Sequence, residues 1–164
     1  MTKEQYVKIT EPLRSNPSRA KRVISLNHVL TILVFFTYPL YLLTLLLDSN
    51  PWLSRAILVP AVSFFLVSLI RYLINAPRPY EKFSLPPVLE KDTKGKSFPS
   101  RHVFSVFMIA MTIFYDHPGA GMMLGILGVI LAVVRVLTGV HEPKDVIAGA
   151  VAGIFCGFVG YCVL

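Results

Sequence analysis

Apolar residues along the chain fall into five long stretches, separated by short groups of charged and turn-forming residues. A helix that crosses a bilayer needs about 20 mostly apolar residues. His28 to Leu47 meets that length, with Pro39 inside it as an expected kink of the sort membrane helices tolerate. Asp48-Ser-Asn-Pro51 reads as a turn and Ser54 to Ile74 as a second span. A polar loop over 76–97 follows, with Pro86, Pro87 and a Lys/Glu/Asp-rich stretch. Loops this long in a small domain are usually functional or disordered. Pro99 marks the first turn of a third helix. Its apolar run, Val103 to Tyr115, is short, so polar residues lining a cavity should begin that span. Asp116-His-Pro-Gly119 ends it, and Ala120 to Leu137 and Pro143 to Leu164 are the fourth and fifth spans. The pattern predicts an all-α integral membrane bundle of about five transmembrane helices.

Small residues recur at spacing four in the last two spans: Gly121 and Gly125, then Gly149, Gly153 and Gly157. Such ridges let helix backbones approach closely, which is how membrane helices pack without a hydrophobic drive. Composition agrees with a lipid solvent. Hydrophobic residues are 54% and charged residues 15%, against roughly 45–50% and about 25% in soluble domains.

The charges that remain are clustered, mainly in 1–22 and 71–101, and the formal net charge is +7. That balance calls for an anionic partner. A nucleic-acid binder would carry its basic residues on a folded polar surface, which a chain this apolar lacks. The N-terminal cluster suits anionic lipid head groups, and the second suits a phosphate-bearing substrate. Cys156 and Cys162, six residues apart on one helix, point to different faces and are packing residues.

Three segments place polar residues where the membrane pattern predicts none. They are Arg71-Tyr-Leu-Ile-Asn-Ala-Pro-Arg78-Pro79, then Phe98-Pro99-Ser100-Arg101-His102, then Arg135-Val-Leu-Thr-Gly-Val-His141-Glu-Pro-Lys-Asp145. Spans two and four end at these segments, while spans three and five begin there. Alternating topology therefore brings all three to one membrane face. Ionisable residues at membrane depth are costly and point to function. Guanidinium forks suit phosphate oxygens, and several together would repel one another without an anion. Two histidines among them suit proton transfer or nucleophilic attack near neutral pH. Taken singly, Arg71 could be a snorkelling anchor and Ser100 a helix-start residue. Lys82, Lys91, Lys94 and Lys96 read as a solvated loop, and His28 and His117 as interfacial. No structural need explains the combination.

These three blocks resemble the signature of the type-2 phosphatidic acid phosphatase superfamily, which also includes vanadium haloperoxidases. The spacings match from Arg71 to Arg78-Pro79, from Pro99-Ser100 to His102, and from Arg135 through His141 to Asp145. The resemblance covers roughly residues 55–164. Three positions depart from it: Arg71 stands for the usual lysine, Arg101 for a glycine, and Val134 for a serine. None removes a catalytic group.

The resemblance implies a membrane phosphatase that needs no metal and no cofactor. His141 would attack phosphorus to form a phosphohistidine. Asp145 would orient His141, and His102 would protonate the leaving group and then activate water. Arg71, Arg78, Arg135, Ser100 and Arg101, the last through its backbone, would hold the phosphoryl oxygens. Expected substrates are phosphatidate, phosphatidylglycerophosphate or a polyprenyl mono- or diphosphate, with membrane lipids as surroundings. On this reading residues 1–27 form a basic interfacial segment and residues 28–164 the membrane-embedded phosphatase domain. A haloperoxidase would need a soluble scaffold, which the composition excludes. A transporter for anionic solutes would also cluster arginines, but would not need the two histidines and aspartate at these spacings. Retention of all three also counts against a catalytically inactive lipid-binding protein. With five spans the N-terminus and the site share a face, which holds every Lys and Arg except Arg55. The positive-inside rule puts that face in the cytoplasm.

Overall fold

The structure, a computed structural model, describes residues 1–91 and 93–163. Asp92, within the polar loop, and Leu164, the expected end of the last span, lie outside the described residues.

Thr2 starts the first helix, α1 (Lys3–Arg14), by accepting from the Gln5 N–H at 3.3 Å. Helix α1 buries Tyr6, Thr10 and Leu13 and accommodates Pro12 near its end. The chain breaks only at Ser15–Asn16. There the Asn16 side chain accepts from Arg19 N at 3.0 Å and Pro17 opens α2 (Pro17–Leu47), a pairing of cap and N1 proline that favours a helix start. The expected boundary at residue 28 therefore falls inside a helix. At 1.5 Å per residue α2 is about 46 Å long, more than the ~30 Å of a hydrocarbon core, so its polar first turns project beyond the lipid.

Helix α3 (Leu53–Ile74) returns across the bilayer and ends at Asn75, whose φ of 42° is left-handed. A short helix, α4 (Pro79–Phe83), interrupts the polar loop. Helix α5 (Arg101–Phe114) starts two residues after Pro99, with Ser100 at the cap position, so the proline precedes the helix instead of forming its first turn. Helices α6 (Pro118–Leu137) and α7 (Pro143–Phe158) complete the bundle, and a π-helical stretch, Val159–Val163, extends α7. Among the described residues, α2, α3, α6 and the extended α7 are long and apolar enough to cross a membrane, and α5 is a shorter apolar helix. The chain is a multi-pass membrane bundle, as the hydrophobic pattern predicts. Phe35, Leu47 and Leu73 stand largely exposed on its sides, where lipid is the solvent.

Helix α5 is the centre of the packing. Its Val106 packs with Leu30, Val34 and Leu131; its Ala110 and Ile113 with Tyr41, Leu45 and Leu124; its Phe104 and Met108 with Val67 and Tyr161. The glycines of α7 set its distance from α5. A Cβ at Gly149 would lie 2.6 Å from Ser100 O, one at Gly153 2.8 Å from Phe104 O, and one at Gly157 would strike Met111. On α6, Gly121 abuts Phe114 and Gly128 abuts Val106 and Phe107, whereas Gly125 meets open space. The α6 seam thus uses a spacing of seven, not the expected four, because Gly121 and Gly128, two turns apart, abut α5 while Gly125 does not. Away from the site, Trp52, Tyr115 and Tyr161 cluster with centroids 5.2 to 6.4 Å apart, as aromatic side chains do at membrane interfaces.

Overpacking a helix seam typically costs about 1–3 kcal/mol. Gly153→Val should therefore lower the melting temperature of the detergent-purified protein by several degrees. Gly125→Ala should leave it unchanged or raise it slightly. A Gly153→Val protein as stable as the parent would contradict the seam.

Candidate active site

The site lies where α3 and α6 end and α5 and α7 begin. Pro143 opens α7, and the Asp145 side chain turns back on its first turn, accepting from Glu142 N at 3.0 Å. The same oxygen, Oδ2, accepts from Ser97 Oγ at 2.5 Å and lies 3.4 Å from His141 Nδ1. Ser97 Oγ is itself 3.4 Å from His141 Nδ1. His141 and Asp145 are both nearly inaccessible to solvent. Burial, with the charges of Arg78 and Arg135, pushes the His141 imidazole down to about 4, although its hydrogen bond to Asp145 opposes the shift. His141 is therefore neutral at physiological pH. With Nδ1–H directed to Asp145, Nε2 keeps the free lone pair.

Three buried arginines surround this pair. Arg71, from the last turn of α3, donates to the carbonyls of Lys96, Ser97 and Pro99 and so holds the strand of loop that carries Ser97. Arg78 donates to Gly95 O and Val140 O at 3.2 Å each, next to His141. Glu81 supports it, accepting from Arg78 N and Gly95 N at 2.8 Å. Arg135, at the end of α6, is 3% exposed and its Nε has no hydrogen-bond partner among the described residues. Ser100 shares that condition. Its N–H donates to Asp145 O at 2.8 Å, yet its hydroxyl caps nothing and is buried without a partner. Buried donors of this sort are uncommon in native proteins and ask for a functional account.

The remaining expected residues sit at the rim. His102, in the first turn of α5, is partly buried, within electrostatic reach of Arg135, Lys91 and Arg101 and close to His141. Arg101 is exposed, its guanidinium 5.6 Å from the centre of the Phe64 ring. The structure thus groups Arg71, Arg78, Ser100, Arg135, His141 and Asp145, sets His102 beside them, and turns the Arg101 side chain to Phe64 at the edge of the group, near enough for Arg71 to feel its charge. His28 and His117 are exposed, and His117 lies 3.4 Å from Asp116, at the other end of α5 from His102.

Sequence reasoning missed four contributors. Ser97 is the shortest contact of Asp145, but a lone serine before a Phe-Pro pair carries no signal of its own. Glu81 was invisible for the same reason. Lys91, expected in solvent, is half-buried; burial and the neighbouring Arg78, Arg135, Arg71 and Arg101 bring its ammonium down to about 8. The fourth is Tyr6 of α1, fully buried, with its hydroxyl 3.4 Å from both Gly139 O and Leu85 O. Gly139 has φ +74°, and a Cβ there would meet Tyr6 and Thr10. Helix α1 therefore rests on the turn that presents His141, a contact that no residue spacing announces.

Three comparisons bear on this geometry. The model of the PAP2 superfamily matches residues 52–164. Undecaprenyl-diphosphatase BcrC of Bacillus subtilis is 28% identical over 144 residues, which are 81% of this chain and 74% of that protein. An undecaprenyl-diphosphatase of Sulfolobus acidocaldarius is 30% identical over 112 residues, 65% of this chain but only 54% of the relative. Among solved structures, LpxE of Aquifex aeolicus superposes with a TM-score of 0.75 at 24% identity, covering 96% of this chain and 92% of its own. That likeness shows a shared fold.

Proposed function

The chain belongs to the PAP2 superfamily, and from that premise and the geometry of its site we propose that it hydrolyses a lipid phosphate monoester or diphosphate without a metal. The observation that carries this reading is the buried arginine cradle around a neutral His141, with two buried donors, Ser100 Oγ and Arg135 Nε, left unpaired among the described residues.

His141 Nε2 gives its lone pair to phosphorus, and the bond from phosphorus to the leaving oxygen breaks. His102, on the rim side, supplies the proton that oxygen takes up. The charge of the imidazolium is met by Asp145, held in place by Ser97 Oγ and Glu142 N. In the second step His102 takes a proton from water, the water oxygen attacks phosphorus, and the phosphorus–nitrogen bond breaks to release phosphate. Throughout, Arg78, Arg135, Ser100 Oγ and the backbone N–H groups at Arg101 hold the equatorial oxygens, a preorganised electrostatic contribution. Arg71 adds its charge and fixes the 96–99 backbone. The charge neutralisation that Mg²⁺ provides elsewhere comes here from guanidinium groups. The names of the relatives favour the polyprenyl diphosphate end of the substrate range over phosphatidate or phosphatidylglycerophosphate.

Phosphate release from a panel of lipid phosphates by detergent-purified protein should persist in excess chelator and be lost in His141→Ala. Dependence on added Mg²⁺, or about a tenth of the activity surviving in His141→Ala, would contradict this mechanism.

The site shares a membrane face with α1, and the basic residues there support a cytoplasmic location of that face on the positive-inside rule. Lys94 is exposed in the loop over the site. In a variant lacking Cys156 and Cys162, Lys94→Cys should react with an impermeant maleimide only after cells are permeabilised. Labelling of intact cells would place the site outside.

A further inference from the structure

A groove of about 700 Å³ opens on the side of the bundle between α2, α3, α5 and α6. It follows α2 from Thr31 to Leu42 and α5 from Arg101 to Ile109, with Phe64 and Leu131 as its other walls. At 1.5 Å per residue the α5 edge runs about 12 Å from the site face toward the middle of the bilayer. The walls are otherwise apolar or uncharged, and the basic side chains among them, Arg101 and His102, stand together at the site end. Phe35, on the α2 edge, is 71% exposed, so the groove is open toward lipid.

Arg101 differs from the other arginines of the site. Arg71 and Arg78 are buried and spend donors on backbone carbonyls, and Arg135 is buried at the floor. Arg101 is exposed, and its guanidinium lies over the Phe64 ring with no hydrogen-bond or ion-pair acceptor among the described residues. A ring face restrains the cation while leaving its donors free. It thus stands between the groove and the phosphoryl cradle, beside the histidine that serves the leaving oxygen.

We propose that Arg101 is a specificity-determining residue that holds the second, chain-linked phosphate of a lipid diphosphate whose hydrocarbon chain lies in the groove between α2, α3, α5 and α6. This rests on the reading of His141 and His102 given above. His141 attacks the terminal phosphorus, the bond to the bridging oxygen breaks, and the electron pair passes to that oxygen. The leaving group is then a lipid monophosphate, which gains negative charge beside Arg101 and takes up a proton from His102. A monoester leaves as a neutral alcohol and offers Arg101 no anion. Charge complementarity and continuity with the cradle commit the groove to the chain of such a substrate.

The test compares wild type, Arg101→Ala and Arg101→Lys on a polyprenyl diphosphate and on the monophosphate of the same chain. Arg101→Ala should lower the ratio of kcat/KM for diphosphate over monophosphate by about tenfold or more, the usual scale for a charge-assisted contact. Arg101→Lys should restore part of that ratio. Competitive inhibition gives a second readout that does not require monophosphate turnover. The Ki of pyrophosphate should rise at least about fivefold more than that of inorganic phosphate. An equal loss on both substrates, with both Ki values rising together, would put Arg101 on the transferred phosphoryl group and overturn the proposal. No change in either would reduce it to a surface anchor. Activity retained by His141→Ala would instead refute the underlying mechanism, whatever Arg101 does.

Discussion

Three guanidinium groups are buried at one membrane face, each near enough to another to feel its charge, and among the described residues none forms an ion pair. Burying like charges is expensive even with Asp145 and Glu81 close enough to offset part of it, and the polar end of the bundle is arranged around that constraint. Backbone carbonyls take part of the load. The loop from Gly95 to Pro99 and the turn at Val140 aim their oxygens at Arg71 and Arg78. What the carbonyls leave is a concave positive field with free donors at Arg135 and Ser100. Its natural complement is an oxyanion. Burial chiefly, with the charges of Arg78 and Arg135 adding to it, keeps His141 neutral, so a field suited to phosphate also helps preserve the lone pair that would attack it.

Packing deep in the bundle fixes this arrangement. Because Gly149 lets α7 close on the start of α5, Ser100 N reaches Asp145 O at 2.8 Å, and one contact joins the second and third motifs. Ser97 then ties the loop to Asp145 from the other side. Arg71 reaches that loop from α3. Three chain segments distant in sequence, at Arg71, at Ser97 to Ser100 and at Asp145 to Gly149, thus meet through direct contacts, and a shift of the α5–α7 seam would misplace them.

Much of this was legible in the sequence. Spans follow from uninterrupted apolar runs, and the meeting of the three polar segments follows from counting spans, because a membrane permits only alternate crossing. The α7 glycines could be read since their spacing matches a helix seam. Other features could not. The α6 seam skips Gly125 for Gly128 because helix crossing geometry, not spacing, decides which glycine touches. Helix α2 begins at Pro17 since a cap and a proline start helices whether or not lipid surrounds them. Ser97, Glu81, Lys91 and Tyr6 act through contacts made by loops and by α1, whose paths no periodicity encodes. The motif position of Arg101 speaks for its backbone alone, and no spacing says that its side chain turns to Phe64, a partner on another helix.

The central claim is that the arginine cradle serves a neutral His141 acting as nucleophile, and the most direct measurement is isolation of the phosphoenzyme. Protein quenched during turnover of a lipid phosphate labelled in its terminal phosphorus should carry label that survives base, is lost in acid, and maps to His141. Label on another residue, or a labelled protein that persists in His141→Ala, would contradict the account.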